Sequence, residues 1–145
     1  MDDVAVRALT VINRVRGRDG LRAYVHDDAL ARCGSKHNLA MAAGGGPGGL
    51  SHQCPGEPDL ATRATAAGVR WTAVGENVGV GGPVPRAFAK IVTMVLALNQ
   101  GMLDEKPPED GHRRNLLSTA FTHVGIAVYH DAAGMVWITQ DFCRR

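Results

Sequence analysis

The spacing of the apolar residues in this chain changes near residue 120. In several segments before residue 104, apolar residues recur every three or four positions, the spacing of amphipathic helices. From Thr122 to Gln140 they alternate with polar or small residues, and Asp131-Ala132-Ala133-Gly134 interrupts this alternation as a turn. Helices followed by a closing β-hairpin, without βαβ alternation, predict an α+β fold with helices packed on an antiparallel sheet.

Capping residues and breakers divide the helical part of the chain. Breakers are densest at residues 44–49, where five glycines and one proline predict a mobile loop. The predicted segments are a first helix at 3–16, an extended piece at 21–25, a second helix capped by Asp27 or Asp28, a short helix from Asp59 to Gly68 and a long helix from Pro85 to about Leu103.

The second predicted helix carries a histidine on its apolar stripe. His37 shares that stripe with Leu30, Cys33 and Met41, so its side chain is expected to point inward. Buried polar groups usually find hydrogen-bond partners. We therefore interpret His37 as a core histidine held by a hydrogen bond, with a ligand role as the alternative.

Size and charge limit the function classes. A chain of 145 residues that is 45% apolar can bury a core as one domain, 1–145. Its net charge of +2 is carried by dispersed residues, which disfavours nucleic acid and anionic membranes as partners. No segment approaches the ~20 apolar residues of a membrane span, and the sequence from Met1 has no signal-peptide pattern.

The chain has three cysteines, Cys33, Cys54 and Cys143, without CxxC spacing. This spacing disfavours a zinc or redox site. Two alternatives stay open: three buried thiols, or a Cys33–Cys54 disulfide worth ~3 kcal/mol in the chain-entropy model.

Two glycine-flanked stretches are candidate site segments. Gly75-Glu76-Asn77, predicted as a turn, and Gly111-His112-Arg113-Arg114-Asn115 follow each other across the long helix. Glycine allows close backbone approach, so the neighbouring charged side chains are expected to face an open groove. His52 directly follows the glycine-rich loop, a position typical of site residues.

The order of these segments resembles the CAP superfamily, also called SCP-like domains, which includes cysteine-rich secretory, venom antigen and pathogenesis-related proteins. The resemblance covers nearly the whole chain and is closest to the bacterial branch. The segments that carry it are His37, Leu50-Ser51-His52, Arg63 with Ala67-Gly68-Val69, residues 74–78, 111–117 and 121–126, and Trp137-Ile138-Thr139-Gln140-Asp141-Phe142.

The resemblance implies a three-layer α-β-α sandwich with a central antiparallel sheet and a large cleft. In some members the cleft holds two histidines and two acids that bind divalent cations. Carried over by motif, His52 is the first histidine, Glu76 the first acid, Glu105 the second acid and His112 the second histidine. Ala120 precedes Phe121-Thr122, where a histidine precedes the corresponding residues in the better-known pattern, so His123 is the reserve for the second histidine.

Two imidazoles and two carboxylates suit zinc or another borderline divalent ion. The sequence leaves two functions open. The first is a binding module whose cleft takes a cation, a small ligand such as a lipid or sterol, or a peptide. The second is an enzyme, a metal-assisted hydrolase or an adapted small-molecule reaction, using His52, Glu76, Glu105 and His112. A hydrogen-bonded structural role for the four residues is a further alternative.

Relatives of this kind are usually exported. We therefore expect an extracellular protein, although a cytoplasmic variant would begin in the same way.

Overall fold

The computed structural model of the chain describes residues 2–145. Helices and strands alternate irregularly along it, with the only long β-hairpin of the described residues at the carboxyl end. The elements are α1 (Asp3–Arg18), β1 (Val25–His26), α2 (Asp28–Ala42), a 3₁₀ turn (Pro47–Gly49), α3 (Leu60–Ala66), β2 (Ala73–Gly81), α4 (Phe88–Leu103), α5 (Gly111–Leu116), β3 (His123–His130) and β4 (Val136–Arg144).

The four strands form one sheet in the order β1-β3-β4-β2. β3 and β2 both pair antiparallel with β4, and only the two-residue β1 pairs parallel, with β3. β4 is therefore the interior strand shared by both long ladders, and its residues 136–143 are all buried. The expected antiparallel sheet is confirmed, with one short parallel addition at its edge.

Side chains of β4 alternate between two helical layers, as the period of a strand requires. Val136, Ile138 and Phe142 belong to a core with α1 and α4. On the opposite face, the Thr139 hydroxyl donates to Asn38 of α2 at 2.6 Å, and Trp137 packs with Met41 of α2. These contacts make the three-layer α-β-α sandwich that the sequence predicts.

The helix caps follow the sequence closely. The carboxylate of Asp27 accepts from the backbone amide of Leu30 at the start of α2, and Asp59 does the same for Thr62 in α3. The long helix begins at Phe88 rather than Pro85. Phe88, at its start, is 51% exposed, and the guanidinium of Arg7 lies over its ring.

One local prediction was wrong, and one short helix was not predicted. The Gly75-Glu76-Asn77 stretch is the middle of strand β2 and not a turn, because its whole length pairs with β4. Residues 111–116 form the short helix α5, which the sequence analysis did not predict. The candidate site residues therefore lie partly on regular elements, where their positions are fixed more firmly than in loops.

All three cysteines are buried and free, so no disulfide joins Cys33 to Cys54 within residues 2–145. Of the two alternatives, three buried thiols is the one observed. Over the same residues, no helix is both long enough and apolar enough to cross a membrane.

Candidate functional site

A cleft of about 540 Å³ lies beside strand β2, between the loop before α3 and helix α5. All four residues of the predicted set border it. Apart from Gly111, the residues that line it all have polar or charged side chains: His52, Glu76, Asn77, Glu105, Glu109, His112, Arg114 and Asn115.

The first histidine and the first acid are hydrogen-bonded to each other. Nδ1 of His52 lies 3.0 Å from Oε1 of Glu76. The imidazole is 64% exposed, whereas the carboxylate is 2% exposed. The hydrogen bond to Glu76 raises the pKa of His52 above its ordinary value. Burial alone would raise the pKa of Glu76, but hydrogen bonds from His52, Asp141 and Arg63 and the charge of His37 lower it.

Arg63 supports this pair from the protein side. Its side chain is 7% exposed, and Nη1 lies 3.1 Å from Oε2 of Glu76. The same guanidinium donates to the carbonyl of His52 at 2.8 Å and to that of Pro58 at 3.0 Å. Arg63 thus ties the loop that presents His52 to the carboxylate that His52 contacts. No role was predicted for Arg63, because a single arginine in a short helix carries no signal of burial.

The second histidine and the second acid form a matching pair. Nδ1 of His112, in α5, lies 2.6 Å from Oε2 of Glu105, in the loop after α4. The other oxygen of Glu105 accepts from the backbone amide of Arg113 at 3.1 Å. Burial alone would raise the pKa of Glu105, but these hydrogen bonds lower it. His112 is 34% exposed, less than His52.

Two asparagines fix α5 against β2. The amide of Asn115 donates to Oδ1 of Asn77 at 2.9 Å and to the carbonyl of Glu76 at 3.3 Å. The amide of Asn77 in turn donates to the carbonyl of His112 at 3.1 Å and to the side chain of Gln140, also at 3.1 Å. This network holds the two histidine–carboxylate pairs on opposite sides of one cleft. The sequence analysis did not predict it, since amide pairing across α5 and β2 depends on the tertiary fold.

The reserve histidine lies elsewhere. His123 begins β3 and is bonded through Nδ1 to the Thr122 hydroxyl at 2.7 Å. It borders a different cavity, together with Arg16 and Phe121. His112, not His123, is therefore the second histidine at the cleft.

The four cleft residues are not gathered as tightly as a preformed tetrahedral metal centre. No three of them place their donor atoms within 4.8 Å of one another. The arrangement is two separate histidine–carboxylate pairs facing a shared space, with Nδ1 of each ring occupied by its carboxylate.

The sequence was also compared with models of protein families. The model of the Cysteine-rich secretory protein family, CAP, matches residues 9–142. The chain belongs to the CAP family. No curated protein matches the CAP chain significantly.

Solved structures resemble the CAP chain over almost its whole length. An extracellular protein from Bacillus anthracis that contains an SCP domain is 26% identical with a TM-score of 0.75, over 96% of this chain and 39% of that one. An outer surface protein from Borrelia burgdorferi is 14% identical with a TM-score of 0.77, and the match covers 100% of this chain and 96% of that protein. A cysteine-rich secretory protein from Staphylococcus aureus is 18% identical with a TM-score of 0.65, and the match covers 99% of this chain and 38% of that protein.

The last two identities are low enough that those likenesses concern the fold alone. The CAP chain spans less than half of the Bacillus and Staphylococcus proteins.

Proposed function

We propose that the cleft binds a divalent cation through the imidazoles of His52 and His112, and that the cation helps to hold a polar ligand. The observation that carries this proposal is the pairing of each cleft histidine with a carboxylate through Nδ1. A carboxylate accepts a hydrogen bond, so Nδ1 carries the proton and Nε2 of the neutral ring has the free electron pair. Histidines that bind metals are commonly oriented by a carboxylate in this way.

In this proposal, the main role of Glu76 and Glu105 is to orient the histidines by hydrogen bonds, and direct binding to the cation is secondary. Glu76 is already shared between His52 and Arg63, so it has little capacity left for a cation. Glu105 is more exposed and is the better candidate for a direct oxygen ligand. Zinc is the cation that nitrogen and oxygen donors of this kind suit best. When bound, it would supply an electrophilic site for a carbonyl or carboxylate.

The lining of the cleft favours a polar small molecule or a peptide over a lipid. Its volume of about 540 Å³ suits a small ligand. None of the lining residues has an aliphatic or aromatic hydrocarbon side chain, so an acyl chain would contact only the carbon atoms of polar side chains. A ligand with a carboxylate or carbonyl group can reach both the imidazoles and Arg114.

The enzymatic alternative needs a general base that is not committed elsewhere. Among the cleft carboxylates of the described chain, Glu109 has no hydrogen bond or ion pair from its side chain and is exposed. A metal-assisted hydrolase would therefore use Glu109, rather than Glu76 or Glu105, to take the proton of an attacking water.

We further propose an extracellular location for the protein. The support is that the similar Bacillus anthracis protein is described as extracellular.

The test is a zinc titration followed by NMR of the histidine rings. Zinc should shift the resonances of His52 and His112 together, while those of His123 and His130, which lie away from the cleft, stay in place. Zinc should also raise the melting temperature. This rise should be smaller in a His52→Ala/His112→Ala variant than in a His123→Ala control. Unchanged His52 and His112 resonances at saturating zinc would contradict the proposal.

A further inference from the structure

Outside the cleft, three potential metal-binding side chains meet behind the loop that carries His52. They are His37 of α2 and Cys54 and Glu57 of the segment before α3. One donor atom from each residue lies within 4.8 Å of the other two. His37 is 0% exposed and Cys54 is 7% exposed, and the Glu57 side chain is 11% exposed. Such a mixed nitrogen, sulfur and oxygen set is typical of zinc sites.

The histidine is already oriented for binding through one nitrogen. Nε2 of His37 lies 2.7 Å from the carbonyl oxygen of Ser51, which can only accept a hydrogen bond, so Nε2 carries a proton. Nδ1 faces the Glu57 carboxylate, at 2.8 Å from Oε1 and 2.9 Å from Oε2. A backbone carbonyl that fixes one ring nitrogen while the other faces a ligand position is the usual arrangement around a metal-binding histidine.

The charges of the ligand set suit a divalent ion. A neutral imidazole, a thiolate and a carboxylate together carry two negative charges, which would balance those of the dication, so the bound ion would not be an uncompensated buried charge.

The ligand atoms also need little movement. Zinc bonds of about 2.0 to 2.3 Å place neighbouring ligand atoms of a tetrahedron about 3.3 to 3.8 Å apart. The contacts between His37 and Glu57 are somewhat shorter than this, and the whole group is already within 4.8 Å. A cavity of about 460 Å³ borders Glu57, and neither His37 nor Cys54 lines it.

We propose that Nδ1 of His37, Sγ of Cys54 and the carboxylate of Glu57 form a second cation site, of the zinc type, that is separate from the cleft. The site joins α2 to the segment between residues 50 and 58, which presents His52 to the cleft. Bound zinc would therefore hold that segment in place, as a structural metal does.

The thiolate ligand gives this site a spectroscopic signature that the cleft lacks. Titration of the reduced protein with Co²⁺ should produce a thiolate-to-cobalt charge-transfer band in the near ultraviolet, and Zn²⁺ should abolish it by displacing the cobalt. Histidine and carboxylate ligands in the cleft produce no such band. A His52→Ala/His112→Ala variant should therefore keep the band even if cation binding at the cleft fails.

The other two cysteines are matched controls, since both are buried as Cys54 is. Cys54→Ser should abolish the band, whereas Cys33→Ser and Cys143→Ser should keep it. Glu57→Gln keeps the thiol and the shape of the side chain, and should weaken cobalt binding about tenfold or more. Circular dichroism checks that each variant is folded. Absence of the band in the wild-type protein, its persistence in folded Cys54→Ser, or its loss in folded Cys33→Ser would overturn the proposal.

Discussion

Glu76 and Asp141 face each other as directly paired residues of the neighbouring strands β2 and β4. Both are buried, and neither oxygen of Asp141 accepts a hydrogen bond from an amide, hydroxyl or guanidinium group of the described residues. Burial, and then the negative charge of Glu76, raise the pKa of Asp141 well above its ordinary value. The pair therefore holds one proton, on Asp141, which can donate it to Glu76 in a hydrogen bond. This leaves Glu76 ionised for His52 and Arg63.

The proton on Asp141 predicts a specific pH dependence of stability. An unfolded chain releases this proton near pH 4, whereas the folded protein keeps it. The folded state thus binds more protons, and stability falls as pH rises from about 4 to the raised pKa, by up to about 1.4 kcal/mol per pH unit from this one group. Asp141→Asn, a neutral replacement, should remove that decline. Urea unfolding of both proteins between pH 4 and pH 9 measures it, and parallel stability curves would contradict it.

A second prediction concerns the contact between His52 and Glu76. Because the hydrogen bond to Glu76 raises the pKa of His52, Glu76→Gln should return that pKa toward its ordinary value. NMR titration of the His52 ring measures the change, and Glu105→Gln, on the other pair, is the control that should leave His52 unaffected. The stabilisation from this ion pair is fully present below about pH 6.5 and is lost as pH rises through the raised pKa. An unchanged His52 titration in Glu76→Gln would contradict the role given to this contact.

Much of the fold was predictable because its signals are local. The helical spacing and the caps at Asp27 and Asp59 gave α2 and α3. The alternation after Thr122 gave the hairpin of β3 and β4. Strand β2 was mistaken for a turn, because its three glycines are poor strand formers. They are tolerated since large side chains fill the space above them, such as Phe121 over Gly75.

The candidate site residues could be chosen from sequence motifs, but the contacts that hold them in place could not be predicted. The four residues carried over by motif border one cleft, yet nothing local reveals that Arg63 is buried or that Asn77 and Asn115 bridge β2 and α5. The grouping of His37, Cys54 and Glu57 was missed for a related reason. Cysteine spacing finds metal ligands that are close in the sequence, whereas His37 comes from a different element than the other two.

The third prediction tests the support that Arg63 gives to the site. Arg63→Ala would leave the Glu76 carboxylate without its arginine and two loop carbonyls without their donor. Loss of one partner of a buried ion pair costs about 3 to 5 kcal/mol, and urea unfolding should show a loss of this size. Arg114→Ala is the matched control, since the Arg114 side chain is 70% exposed in its pair with Asp110, and it should cost less than about 1 kcal/mol. Equal losses for the two variants would contradict the support role.

The fourth prediction concerns the glycine that lets α2 lie against the sheet. A Cβ on Gly125, in β3, would lie 2.2 Å from the backbone nitrogen of Ala31 and 2.4 Å from the carbonyl carbon of Leu30. These are backbone atoms of α2, so the clash cannot be relieved by a side-chain rotation, and Gly125→Ala should lower the free energy of unfolding by at least about 3 kcal/mol. Gly101→Ala is the control, because a Cβ there meets nothing within 4 Å. Gly101 lies in α4, where alanine should stabilise by roughly 0.5 to 1 kcal/mol. Urea unfolding of the two variants should therefore give changes of opposite sign, and a Gly125→Ala protein as stable as the wild type would show that α2 does not approach β3 so closely.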